Sequence, residues 1–223
     1  MPKKRGGLII MNEKQVSKIL LEVKAITLSP KEPYTFVSGI KSPIYCDNRL
    51  LMSYPKQREA VVGYFLDAIK ASDLNFDVVA GTATAGISWA AWVADKHGKP
   101  MIYIRGEKKE HGKENRIEGK LEEGQRVLVL EDLISTGGSS FSAVEAVREA
   151  GGIVDYCVAI FTYEMEKAKN KFAEGKCELI ALSNFSTLVA TAAEGNYIDN
   201  EQKENVLEWN KAPAEWGKKM GFE

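Results

Sequence analysis

The chain has 223 residues, 44% of them hydrophobic, with 30 Lys and Arg set against 31 Asp and Glu. That is enough to bury one full core, and the near-neutral charge argues against wholesale attraction to nucleic acid or to a membrane surface. Cys46, Cys157 and Cys177 are widely spaced with no CxxC pair, as a reducing cytoplasm permits, and His97 and His111 alone exclude a histidine-rich metal site.

In chain order, MPKKRGGLII is too short for a signal-peptide core, and residues 1–10 are expected to be a disordered extension or the product of an upstream start, Met11 being the better opening. Asn12 is a candidate cap for an amphipathic helix through Val16, Ile19, Leu20, Val23 and Ile26 to about Thr27, ended by Ser29-Pro30. Tyr34 to Val37 and Ile44 to Cys46 are short strand-like pieces around Ser38-Gly39, expected to form a small hood. A helix over Pro55 to Ala71 turns Val61, Val62, Phe65, Leu66 and Ile69 inward. An alternation follows. Strands are predicted at Asp77–Ala80, Pro100–Ile104, Arg126–Leu130, Ile153–Phe161 and Leu179–Leu182, and helices at Gly86–Lys96, Ser139–Ala150 and Phe185–Ala193, with MEKAKNKFAEG as an exposed helix. Cys157 and Cys177 read as buried strand residues. This rhythm is that of an α/β fold with a doubly wound, mainly parallel, Rossmann-like sheet, whose ligands bind beyond the carboxyl ends of the strands. The two tryptophans between Val206 and Trp216 are expected to pack on the hood. With no repeat or linker, the chain reads as one domain: hood over about 12–54, core with C-terminal additions over about 55–223.

Four stretches carry chemistry. VLVLEDLISTGGSS, Val127 to Ser140, reads as a buried strand, two acids, a hydroxyl-and-glycine loop and the start of a helix. Backbone N–H groups and hydroxyls at the positive end of that helix suit a phosphate monoester, while Glu131 and Asp132 must reach past it to hydroxyls or a cation. Gly81 to Gly86 repeats the strand–turn–helix plan with residues small enough to let a pyrophosphate approach the backbone. Arg105 to Gly119 holds Arg105, Lys108, Lys109, His111, Lys113 and Arg116 with three glycines and no apolar period, and reads as a mobile loop. Ser38 to Arg49 offers Lys41, Tyr45 and Arg49, respectively a cation, a stacking ring and a second cation.

LVLEDLISTGGSS resembles the 5-phosphoribosyl-1-pyrophosphate (PRPP) motif of type I phosphoribosyltransferases, and SGIKSPIYCDNR with RGEKKEHGKENRIEG narrows the resemblance to the orotate phosphoribosyltransferase family in its bacterial form. The resemblance implies a pentosyltransferase using PRPP, orotate and Mg²⁺ in pyrimidine biosynthesis, and a cytoplasmic homodimer with shared sites. It implies PRPP contacts from Arg105, Lys109, His111, Glu131, Asp132, Leu133, Ile134, Ser135, Thr136, Gly137, Gly138 and Ser139. Of these, Lys109, His111, Glu131 and Asp132 would be catalytic. It further implies a pyrophosphate loop at Thr82, Ala83 and Thr84, orotate contacts from Ser135, Lys41, Tyr45 and Arg49, and Mg²⁺ on PRPP oxygens with Asp132 as a candidate ligand. The chain departs from some relatives at Val37, Ala85, Gly106 and Tyr163, where those carry lysine, lysine, lysine and arginine. Two alternatives stand beside this reading: a phosphoribosyltransferase for another base, and a PRPP-sensing transcriptional regulator on the same fold.

Overall fold

A computed structural model describes residues 6–36, 38–106 and 116–222. Helix α1 spans Gly6–Glu22, opening well before Asn12; of the extension expected over residues 1–10, positions 1–5 lie outside the described residues and 6–10 are helical backbone. The expected continuation of this helix to Thr27 does not form. Lys24 takes a positive φ of 57° and Ile26–Leu28 becomes strand β1, because these residues pair with the hood strand β4 (Ile44–Cys46) in the register Ile26↔Cys46. The hood is completed by β2 (Tyr34–Thr35) on β3 (Lys41–Ser42) and by a 3-10 turn at Asn48–Ser53.

Helix α2 (Pro55–Ala71) begins on a proline and turns Val61, Val62, Phe65 and Ile69 into the core, with Leu66 only half-buried. The chain then builds β5 (Val78–Thr82), α3 (Gly86–His97), β6 (Met101–Ile104), β7 (Ile117–Glu118), β8 (Arg126–Ile134), α4 (Gly138–Glu149), β9 (Ile153–Thr162), α5 (Glu166–Glu174), β10 (Glu178–Asn184) and α6 (Phe185–Glu194). The sheet order is β10-β9-β8-β5-β6-β7, parallel throughout except for β7 on β6. The second half of the stretch expected as a loop is therefore partly strand, with Ile117 opposite Ile104.

Strand alternation sorts side chains to two faces. Leu128, Leu130, Val158 and Ile160 join α1, α2, α3 and α6 on one side; Val127, Val129, Cys157 and Ala159 join α4 and α5 on the other. From the adjacent strands β5 and β8 the chain leaves to opposite faces, into α3 and α4, so a crevice opens where their carboxyl ends diverge. Helix α5 is only partly exposed, because Ala168 and Phe172 are buried beneath α4, Phe172 edge-on to Phe141. Cys177 is buried but lies one residue before β10.

Helices α7 (Asn200–Lys211) and α8 (Pro213–Lys219) close over the hood. The Trp209 indole N–H donates to the Lys41 carbonyl at 3.1 Å, and its ring meets Phe36, Tyr163 and Phe185. Tyr163 is thus a core residue of this aromatic cluster.

Candidate active site

The crevice is a cleft of about 370 Å³ walled by three chain segments: Thr82–Ala85 at the end of β5, Ile104–Gly106 with Arg116 at the β6 and β7 ends, and residues between Glu131 and Ala143, Ile134 and Phe141 excepted, at the end of β8 and the start of α4. Strand β8 runs four residues past the expected end at Leu130, so Glu131 and Asp132 are strand residues paired beside β9, in the register Glu131↔Ala159 and Ile134↔Thr162. Their carboxyls are fixed by a sheet rather than by a loop.

Glu131 is 7% exposed, and both its oxygens are engaged: Oε1 accepts from the Asp132 backbone N–H at 3.0 Å and Oε2 from the Ser140 hydroxyl at 3.0 Å. Burial pushes its pKa from 4.5 to about 8; the Thr82 hydroxyl, within reach of this carboxyl and of the Leu130 carbonyl oxygen at 3.3 Å, pulls it down, and the neighbouring Asp132 adds to the rise. Asp132 is raised too, again chiefly by burial, against the pull of the Glu131 carboxyl and backbone N–H groups. At neutral pH the pair therefore holds a proton, which lowers the negative charge facing any incoming phosphate.

The loop beyond uses Gly137 as the residue before α4, at φ 73°, where a Cβ would lie 3.2 Å from both the Ala168 Cβ and the Phe172 ring. Glycine lets the backbone reverse there and aim the first N–H groups of α4 at the cleft. Across the cleft, Gly86 packs so closely on β8 that a Cβ would be 2.6 Å from the Leu130 carbonyl oxygen. The Thr82–Ala85 turn is held by the Ala83 N–H on the Ile104 carbonyl at 2.8 Å, and its Ala83–Thr84 peptide is cis.

Thr82, Ala83, Thr84, Arg105, Glu131, Asp132, Leu133, Ser135, Thr136, Gly137, Gly138 and Ser139 all line this one cleft. Ile134 does not, since its side chain is buried in the core behind the loop. Lys109 and His111, with Lys108 and Lys113, lie outside the described residues, as does Val37. Lys41, Tyr45 and Arg49 stand on the hood, away from the cleft wall. Lys41 reaches Thr35 at 3.1 Å, Tyr45 is 44% exposed beside Tyr34, and Arg49 forms a bidentate pair with Asp47 at 2.7 and 2.9 Å. Arg49 is nonetheless close enough to Asp132 to draw that acid's pKa down.

Sequence reasoning missed two residues here. The Asn48 amide, 1% exposed, donates to the Asp132 backbone carbonyl at 2.7 Å and so ties the hood to the acidic strand end; its Oδ1 has no partner among the described residues. Ser140 completes the cage around Glu131. Nothing in CDNR marks Asn48 as inward-facing, while Ser140 was readable as a hydroxyl of the loop but not as the partner of an acid nine positions earlier.

Among the described residues no group of three or more His, Cys, Asp or Glu is gathered as a metal cage. With both Glu131 oxygens engaged, Asp132 is the acid of the described cleft available to a cation. A single carboxylate suits a hard ion such as Mg²⁺, which keeps waters and takes further oxygens from a substrate.

A phosphoribosyl transferase domain model matches residues 55–189. The chain is 50% identical over 202 residues to a protein of Coxiella burnetii named orotate phosphoribosyltransferase, covering 91% of this chain and 97% of that one. It is 52% identical over 206 residues to a protein of the same name from Listeria monocytogenes, covering 92% and 99%. Among solved structures, orotate phosphoribosyltransferase from Aeropyrum pernix superposes with a TM-score of 0.72 at 26% identity, over 82% of this chain and 99% of that one.

Proposed function

The chain belongs to the orotate phosphoribosyltransferase family, and from that premise we propose how its own residues divide the work. The reaction transfers the 5-phosphoribosyl group of PRPP to orotate, giving orotidine 5′-monophosphate and pyrophosphate in pyrimidine nucleotide synthesis. The observation that carries the assignment of roles is the convergence of the Glu131–Asp132 strand end, the Ser135–Ser139 loop and the Thr82–Ala85 turn on one cleft.

The backbone N–H groups of Gly137 to Ser139, at the positive end of α4, hold the 5-phosphate. Glu131 and Asp132 take the two ribose hydroxyls. The Thr82–Ala85 turn and Arg105 receive the pyrophosphate, and Ser135 with Lys41, Tyr45 and Arg49 of the hood receives orotate, its carboxylate drawn to the cations. The C1–O bond to pyrophosphate breaks as a pyrimidine nitrogen attacks from the opposite face, and positive charge spreads to the ring oxygen. No protein nucleophile takes part. Rate comes from positioning and from the Asp132 carboxylate facing the developing cation. Lys109 and His111 add positive charge and a titratable imidazole at the leaving group. Asp132, together with PRPP oxygens, would hold Mg²⁺, which would supply further charge neutralisation on pyrophosphate.

We also propose a homodimer in which Lys109 and His111 serve the partner's site. Leu50, Met52 and Tyr54 are exposed apolar side chains, and the Met52 sulfur accepts from Ser88, whose hydroxyl lies 3.5 Å from the Ala85 carbonyl; a second copy seated there would adjoin the pyrophosphate turn. Among the described residues no helix is long and apolar enough to cross a membrane, and three free cysteines fit a reducing cytoplasm. The direct test is orotate consumption, followed by absorbance, with PRPP and Mg²⁺, and with uracil and hypoxanthine as control bases. Consumption of a control base in preference to orotate would refute the base assignment.

A further inference from the structure

The described wall of the cleft carries two guanidinium groups, Arg105 and Arg116, and the protein holds them differently. Arg105 lies 3.5 Å from the Glu118 carboxylate. Arg116 meets neutral oxygens: its Nε donates to the Arg105 carbonyl at 2.9 Å, and its Nη1 donates to both the Ser142 hydroxyl at 2.9 Å and the Ser142 carbonyl at 3.1 Å. The two arginines are also paired through the main chain, the Arg105 N–H on the Arg116 carbonyl at 2.9 Å. Three bonds fix this guanidinium in the folded chain, so little side-chain freedom is left to lose on binding. Among the described residues no carboxylate pairs with it, and a fixed, uncompensated cation on a polar cleft wall is a subsite for an anion.

Resting on the reading of the cleft as a PRPP site, we propose that Arg116 is a binding residue for the pyrophosphate group, with the two N–H groups of Nη2, which no described residue engages, directed to phosphate oxygens. The pyrophosphate end is favoured over the 5-phosphate by connectivity. Arg105, to which Arg116 is bonded through both side chain and backbone, follows Ile104, and the Ile104 carbonyl holds Ala83 of the Thr82–Ala85 turn. The residues assigned to the 5-phosphate, Gly137 to Ser139, are the cap and first two residues of α4, a turn before Ser142.

The test is calorimetric titration of the full chain with magnesium pyrophosphate and, separately, with orotidine 5′-monophosphate, alongside steady-state kinetics. Arg116→Met keeps the aliphatic stem and removes the charge. Pyrophosphate affinity should fall roughly 10- to 100-fold, as for a lost charge-assisted pair. The KM for PRPP should rise while that for orotate stays, and the affinity for the nucleotide should change by less than about twofold. Arg116→Lys should lie between the two, and Ser142→Ala, which leaves the charge but loosens its anchor, should weaken pyrophosphate by about threefold. If Arg116→Met fails to fold, these two variants decide the matter. Wild-type pyrophosphate affinity in the variants, or a loss confined to the nucleotide, would overturn the role of Arg116 alone. A wild-type chain that bound neither ligand would instead strike down the PRPP reading beneath it.

Discussion

Replacing Glu131 with glutamine tests the buried proton directly. In the folded chain the carboxyl titrates near 8 instead of 4.5, chiefly because burial disfavours its charge. The folded state therefore holds a proton that the unfolded state releases, so this group's contribution to stability is complete below pH 4.5 and is lost as pH rises to about 8. At about 1.4 kcal/mol per pH unit, the loss across the window reaches as much as about 5 kcal/mol, or a fall in Tm of roughly 10–20 °C for a chain of this size. Glutamine carries no proton to lose, and its amide can still accept from the Asp132 N–H while its NH₂ group turns to Ser140. Glu131→Gln should match the wild type near pH 5 and exceed it in stability near pH 9. The measurement is urea unfolding of both proteins at each pH unit across that range, read as the difference between them so that other titrating groups cancel. Two parallel stability profiles would refute the reasoning and leave Glu131 ionised in its cage.

Asp132→Asn should cut turnover by about 100-fold or more with little change in Tm, since the amide can bond a hydroxyl but cannot balance a cation. Kinetics and melting measured on the same preparation check it, and unchanged turnover would reduce the pair to a structural strand end. Gly137→Ala should destabilise the chain by about 1–3 kcal/mol, because it combines a positive φ with crowding against Ala168 and Phe172; denaturant unfolding reads this out. Lys109→Ala and Asp132→Asn, each crippled alone, should regain activity when mixed under subunit exchange, since one site of a mixed dimer collects both defects and the other neither. Confirmed mixing by mass without added activity would show that the loop serves its own subunit.

What was legible in the sequence is what short-range chemistry determines. The limits of α2 follow from Pro55 and a clean apolar period, and the strand, loop and helix of Val127 to Ser140 follow from hydroxyls and glycines between an apolar run and a helix. Three other features depended on distant partners. Ile26 to Leu28 continue a helical period and become strand only because Ile44 to Cys46 lie opposite. Glu131 and Asp132 look like the end of a strand, yet β9 carries the pairing on to Ile134. The inward turn of Asn48 depends on a carbonyl 84 residues away. The placing of Lys41, Tyr45 and Arg49 shows the reverse case, in which the expected residues sit on the hood away from the cleft wall and Arg49 is engaged by its neighbour Asp47.

The bond from the Trp209 indole to the Lys41 carbonyl spans 168 positions, and it has a consequence for how the protein is made. During synthesis the N-terminal part of a chain emerges first and can begin to order before the rest exists. Here the hood emerges early but cannot finish: the side of β3 that α8 covers, and the Phe36 ring that Trp209 meets, stay wet until Trp209 and α8 have left the ribosome. A chain stalled or truncated before Trp209 would therefore hold a complete cleft beneath an unfinished roof. The C-terminal helices act as the latch on an element translated first, so the hood should be the last part of the newborn enzyme to become resistant to protease.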